Sequence, residues 1–219
     1  MDIQIQVNDQ PVRAYLAIPA SGKGPGVLVL HAWWGLNSFF KQLCDRLAEQ
    51  GFVALAPDLY HGPSANTIDK AQALVDNADW DKVGATVMAA KDFLLAHPSQ
   101  SAERLGAMGF SMGAYWTLVA ATRVPDQFAA AVVFYGIGEG DWGKMQAKFL
   151  GHFSDVDEWE PLEGIQAVEK DMLAAGANAT FHIYPGLPHW FFESDRPEYD
   201  PAAAQLAWER TVSFLQDNL

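Results

Sequence analysis

Five short stretches of this chain are apolar with almost no alternation, and they constrain its fold more than any other feature. They are Val27-Leu-Val-Leu30, Phe52–Ala56, Leu105–Gly109, Ala129–Tyr135 and Phe149–Phe153. An extended backbone with apolar side chains on both faces must be covered on both sides, which a parallel sheet between two helical layers achieves. The intervening stretches carry the helical period. Phe40, Leu43, Cys44 and Leu47 recur at that spacing until Gly51, and Val83, Val87, Ala90 and Leu94 do so until His97-Pro98. A further helix is expected from Met112 to about Arg123, and another carries Val168 and Met172 and ends at Gly176. Thr180–Tyr184 reads as the next strand. Asp200-Pro201 supplies an N-cap and a first-turn proline for a last helix, whose buried stripe is Trp208, Val212 and Leu215.

The chain opens differently. Ile3, Ile5 and Val7 alternate with Gln4 and Gln6, Asn8-Asp9 offers turn chemistry, and Val12, Ala14, Leu16 and Ile18 alternate again. An N-terminal β-hairpin is expected there. With no linker, repeat or low-complexity segment, residues 1–219 are expected to form one α/β domain: a mostly parallel sheet, an antiparallel hairpin at its start, and helices on both faces.

Composition narrows the function. Twenty-seven Asp and Glu against 14 Lys and Arg give a net charge of −13 with no basic run, which argues against nucleic acid and anionic membrane partners. Cys44 is the only cysteine, so neither an internal disulfide nor a cysteine-rich zinc site is expected. The first residues lack the apolar core of a signal peptide, and no apolar run approaches the roughly 20 residues of a membrane span. A cytoplasmic protein acting on a small molecule is the expectation.

The strongest chemical signal is Gly109-Phe-Ser-Met-Gly113, placed between a strand and a helix. In that context G-x-S-x-G forms a nucleophile elbow, whose sharp turn tolerates only small residues at both flanks and lifts the serine hydroxyl above the sheet. Without the flanking elements the plainer reading is a glycine-rich turn. The following amide, that of Met112, would start a helix and could stabilise an oxyanion. A serine needs a base, and only His152, His182 and His189 follow it. His152 and His182 fall on strands, whereas His189 follows Tyr184-Pro-Gly-Leu-Pro188 in a loop and is the candidate. The orienting acid should come from Asp155, Asp157, Glu158 or Glu160, among which spacing favours Asp155 or Asp157 without choosing.

Other motifs are weaker. Gly22-x-Gly24-x-Gly26 precedes its strand, and Gly136-x-Gly138-x-Gly140 leads into no clear helix, so neither fits a dinucleotide fingerprint. No histidine pair has zinc spacing, and neither metal nor organic cofactor is expected. Trp34, Tyr60, Tyr115, Trp159 and Trp190 are candidates to line an apolar pocket, although ordinary packing should account for more than half of the loop aromatics.

The sequence resembles the dienelactone hydrolase family of α/β hydrolases. The match rests on His31-Ala-Trp-Trp-Gly-Leu-Asn37, Pro57-Asp-Leu-Tyr60, Gly109–Gly113, Asp157…Pro161, Tyr184-Pro-Gly-x-x-His189 with Trp190-Phe191, and the tail from Tyr199 to Phe214. The resemblance implies a catalytic set of Ser111, His189 and Asp157, choosing Asp157 because the family's acid stands four residues before the loop proline. It implies a second oxyanion amide at Trp33. The family's best-known members carry cysteine where this chain has Ser111, and a thiol-activating glutamate where it has Ala32. The two differences are mutually consistent, since a serine served by His189 has no use for that carboxylate. No arginine pair for a lactone's carboxylate is evident, and Arg196 is the only basic residue close after His189. The expectation is hydrolysis of an ester or lactone through a serine acyl-enzyme. The alternatives are a thioesterase or peptidase using the same residues, and, further off, a non-catalytic binding protein on this fold.

Overall fold

The computed structural model describes residues 1–219. Its single sheet has eight strands: β1 (Asp2–Val7), β2 (Gln10–Ala17), β3 (Gly26–Leu30), β4 (Val53–Pro57), β5 (Leu105–Phe110), β6 (Phe128–Phe134), β7 (Lys148–Ser154) and β8 (Ala179–Tyr184). The strand order is β1-β2-β4-β3-β5-β6-β7-β8. β1 and β2 form the hairpin, with Asn8 and Asp9 both at positive φ as a two-residue turn twisted to match its strands requires. β2 runs antiparallel to β4, and every pairing from β4 through β8 is parallel.

The helices are α1 (Ser38–Glu49), α2 (Ile68–Asp76), α3 (Trp80–Leu95), α4 (Met112–Arg123), α5 (Leu162–Ala174) and α6 (Pro201–Asn218). Asn37 caps α1 through Phe40 N–H and Asp200 caps α6 through Ala203 N–H. α2 had no counterpart in the sequence reading. It is a short helix with one buried residue, Ala71, so it carries almost no apolar stripe to read.

β3 through β7 are buried nearly end to end, and their side chains divide by parity between two cores. Val27, Val29, Ala54, Met108, Phe110, Val132 and Phe134 face α1 and α6, meeting Phe40, Leu43, Trp208, Val212 and Leu215. Leu28, Leu30, Val53, Leu55, Ala107, Ala131 and Val133 face α3, α4 and α5, meeting Val83, Leu94, Leu118, Ile165 and Met172. This is why the runs show no alternation: both faces are dry. In such a sheet the loops leaving the carboxyl ends of the strands converge on one edge, where sites form. No helix is long and apolar enough to cross a membrane.

Candidate active site

Ser111 sits in the turn between β5 and α4 at φ 49°, a strained position for a residue with a side chain. The two flanking glycines allow it. A Cβ on Gly109 would lie 2.2 Å from the Gly113 carbonyl oxygen, and one on Gly113 would lie 2.1 Å from the Leu30 oxygen. The first turn of α4 is therefore pressed against the end of β3 and the loop that follows, which carries Trp33. Met112 is the first residue of α4, where an amide has no partner within the helix.

Two further loops meet the elbow. His189 is 3% exposed, and its Nε2 lies 3.0 Å from Ser111 Oγ while its Nδ1 lies 2.6 Å from Asp157 Oδ2. The carboxylate accepts, so Nδ1 carries the proton and Nε2 is left to accept from the serine hydroxyl. Asp157 is held in turn, because its Oδ1 accepts from the amides of Trp159 and Glu160 at 2.8 and 3.0 Å. Asp155 points elsewhere and accepts from Gly186 N–H at 2.6 Å. Two carboxylates two residues apart thus divide the work: one contacts the imidazole and the other ties its loop to the His189 loop. The Ser154 hydroxyl adds a second tie, donating to the Leu187 carbonyl.

Below the imidazole lies a pair of residues that the sequence reading did not single out. Tyr135, at φ 36°, places its ring centroid 4.8 Å from that of His189 and donates its hydroxyl to Glu193 Oε1 at 2.7 Å. Glu193 is wholly buried, its second oxygen has no hydrogen-bond partner, and burial pushes its pKa up to about 8. The available signal was a lone acid directly after Trp190-Phe-Phe192, since such a side chain cannot point to water if its neighbours are core. Trp190 also has positive φ, at 36°, so strained backbone occurs at the serine, beside the histidine and beneath it.

The loop that carries Trp33 is held by a second buried histidine. His31 Nδ1–H donates to the Ala32 carbonyl at 2.7 Å, and Nε2 accepts from Leu59 N–H at 3.0 Å. Desolvation lowers its pKa, keeping the ring neutral as both bonds require. Of the other histidines, His152 on β7 is buried with its two ring nitrogens taken by the Tyr184 and Thr211 hydroxyls, and is neutral for the same reason.

The structure sorts the pocket candidates. Trp33, Trp34, Trp159 and Trp190 pack as one aromatic cluster, with Trp33 stacked on Trp190 at 5.8 Å and Trp159 edge-on to Trp33 at 5.1 Å. Trp34 and Trp190 are buried in it and present little surface to a substrate, while Trp159 and Tyr115 are each 44% exposed. Tyr60 is half-buried and donates its hydroxyl to the Met112 sulfur at 3.1 Å. Arg196 is committed elsewhere, stacked over Trp34 at 4.2 Å and paired with Asp195. The Gly136-x-Gly138-x-Gly140 run has a packing explanation. A Cβ at these glycines would lie 2.5 Å from the Ser111 oxygen, 2.8 Å from the Tyr115 ring and 2.8 Å from the Trp142 ring, respectively. No group of three or more His, Cys, Asp or Glu side chains could hold a metal ion.

An eight-stranded, mostly parallel sheet with a serine elbow at the carboxyl end of a central strand defines an α/β hydrolase fold. The dienelactone hydrolase family pattern matches residues 12–219, and this chain belongs to that family. Among curated proteins it is 35% identical to Protein usf of Aquifex pyrophilus, over 99% of this chain and 98% of that one. It is 30% identical, over 99% and 98%, to an Aquifex aeolicus protein whose name marks it provisionally as a carboxymethylenebutenolidase. A crystal structure from Klebsiella pneumoniae, provisionally described as a dienelactone hydrolase, superposes with a TM-score of 0.88 at 26% identity, covering 99% of this chain and 98% of the other.

Proposed function

We propose that this protein is a serine carboxylesterase or lactonase that works through an acyl-enzyme on Ser111. The reading is carried by one observation, the continuous hydrogen-bonded chain from Asp157 Oδ2 through His189 to Ser111 Oγ at 2.6 and 3.0 Å. Ser111 Oγ attacks the carbonyl carbon as its proton passes to His189 Nε2, and the carbonyl π electrons move onto the oxygen. The Met112 amide, at the start of α4, and the Trp33 amide are assigned to that developing charge, a contribution worth several kcal/mol in a preorganised site. The intermediate collapses by breaking the bond to the leaving oxygen, which takes the proton from the imidazolium. Water, deprotonated by His189, then attacks the acyl carbon; the second tetrahedral intermediate collapses by breaking the bond to Ser111 Oγ, which takes the proton back from the imidazolium as the acid leaves. Asp157 holds the imidazole tautomer and stabilises its cation throughout. Every proton and electron pair is accounted for by these side chains, so the reaction needs no cofactor. Membership of a family of hydrolases, and a relative carrying a lactonase-type name, support ester or lactone as the bond broken.

The test is labelling with a small fluorophosphonate followed by peptide mapping, together with turnover of simple esters and lactones. A single adduct at Ser111 is expected, and Ser111→Ala should reduce kcat by roughly a thousandfold or more. Adduct formation elsewhere, or full activity in the variant, would overturn the proposal.

A further inference from the structure

The residue after the nucleophile opens onto a groove that the chemistry at Ser111 does not use. Met112, Tyr115, Trp116 and Trp80 enclose about 400 Å³, and no charged side chain lines it. Three of the four come from the first turn and a half of α4, directly behind Ser111, and Trp80 begins α3. The indoles of Trp80 and Trp116 stand 6.5 Å apart and 25° from parallel, and the Tyr115 ring meets Trp116 edge-on at 5.5 Å. Two glycines let these rings lie flat against their neighbours. A Cβ at Gly84 would lie 3.1 Å from Trp116, and one at Gly138 would lie 2.8 Å from Tyr115. Trp80 and Tyr115 remain 41% and 44% exposed, an unusual cost for large aromatic surface unless something covers it.

Resting on the proposed acyl transfer at Ser111, we infer that this groove receives a flat apolar group of the substrate, so that the enzyme selects neutral aromatic esters over esters bearing a carboxylate. The occupant follows from continuity: Met112 is at once the neighbour of the nucleophile and a wall of the groove, so a group extending from the ester over Met112 enters it. Its flatness follows from the near-parallel indoles and its apolarity from the lining. The charge preference follows from what is missing from the walls and from what the nearby cations do. Lys82 is paired with Asp79, and Arg123, which shares the adjoining cleft of Trp80 and Trp116 with Asp81 and Asp92, does not line the groove. A carboxylate placed there would lose its hydration without gaining a partner.

The experiment compares ethyl acetate, ethyl 2-naphthylacetate and a naphthyl ester of the same shape carrying a free carboxylate, with the wild type, Trp80→Ala and Trp80→Ser, in a pH-stat. Both substitutions are at a half-exposed position, and thermal melting checks that each variant is folded. The wild type should prefer the neutral naphthyl ester to its anionic counterpart by roughly tenfold or more. Each variant should lose roughly five- to tenfold in kcat/KM on the naphthyl ester, mainly through KM, and nothing on ethyl acetate. Equal losses on both neutral esters, no loss on either, or equal turnover of the anionic ester would overturn the inference while leaving the Ser111 mechanism intact. Failure of Ser111 to label with a small fluorophosphonate, with no turnover of ethyl acetate, would instead bring down the catalytic reading and the inference with it.

Discussion

Replacing Glu193 by glutamine should change how the stability of this protein depends on pH. In the folded protein the carboxyl is wholly buried, with Tyr135 as its only hydrogen-bond partner, and it holds its proton up to about pH 8. Unfolded, it would release that proton near its ordinary value of 4.5. Between those two values the folded state binds one proton more than the unfolded state, so each added pH unit removes about 1.4 kcal/mol of stability. The contribution is fully present below pH 4.5, falls across the interval of about 3.5 units, and is gone above pH 8. The whole loss approaches about 5 kcal/mol, and the part between pH 5.5 and 7.5 is about 3 kcal/mol. Glutamine has nearly the same shape, can still accept from Tyr135, and does not titrate. The stability of E193Q relative to wild type should therefore rise with pH by that amount, which corresponds to roughly 5–11 °C in Tm for a chain of this size. Urea denaturation of both proteins at half-unit steps from pH 5 to 8.5 measures the difference and cancels the titrations they share. A difference that stays flat to within about 0.5 kcal/mol would show that Glu193 is ionised, or reached by water, in the folded state.

Two further substitutions and one reagent test the site more directly. Asp157→Asn should cripple turnover, because the amide favours the wrong imidazole tautomer, with losses of roughly 10⁴-fold where such a change has been made in a triad. Asp155→Asn should leave kcat within about threefold and cost at most about 1 kcal/mol, because the amide oxygen can still accept from Gly186 N–H and only the charge on that bond is lost; the opposite ranking would reassign the acid. Iodoacetamide under native conditions should spare activity, because Cys44 is fully buried on α1 and desolvation pushes its pKa far up, keeping it a thiol. Stoichiometric alkylation of Cys44 with parallel loss of turnover would contradict that burial.

The two kinds of structural information in this chain have different physical origins. Strand and helix patterning, the hairpin turn at Asn8-Asp9, the cap at Asp200, and the glycine-flanked elbow are written in neighbouring residues, because backbone geometry repeats over two to four positions. The parallel sheet was legible for the same reason: five runs apolar on both faces can be satisfied in few ways. Which loop groups meet is a different matter. Ser111 and His189 are 78 positions apart, and Tyr135 and Glu193 are 58 apart, and no local period links them. Spacing alone left Asp155 and Asp157 open. Only the folded loop turns one carboxylate to the imidazole and the other to a backbone amide. The aromatics were equally opaque, since Trp34 and Tyr115 look alike as residues near strand ends. Burial against Trp33 and Trp190 removes the first from solvent, and the packing of α3 against α4 leaves the second at the surface. The charge state of Glu193 is tertiary as well, because a carboxyl keeps its proton at neutral pH only when the surrounding fold has removed the water that would stabilise the anion.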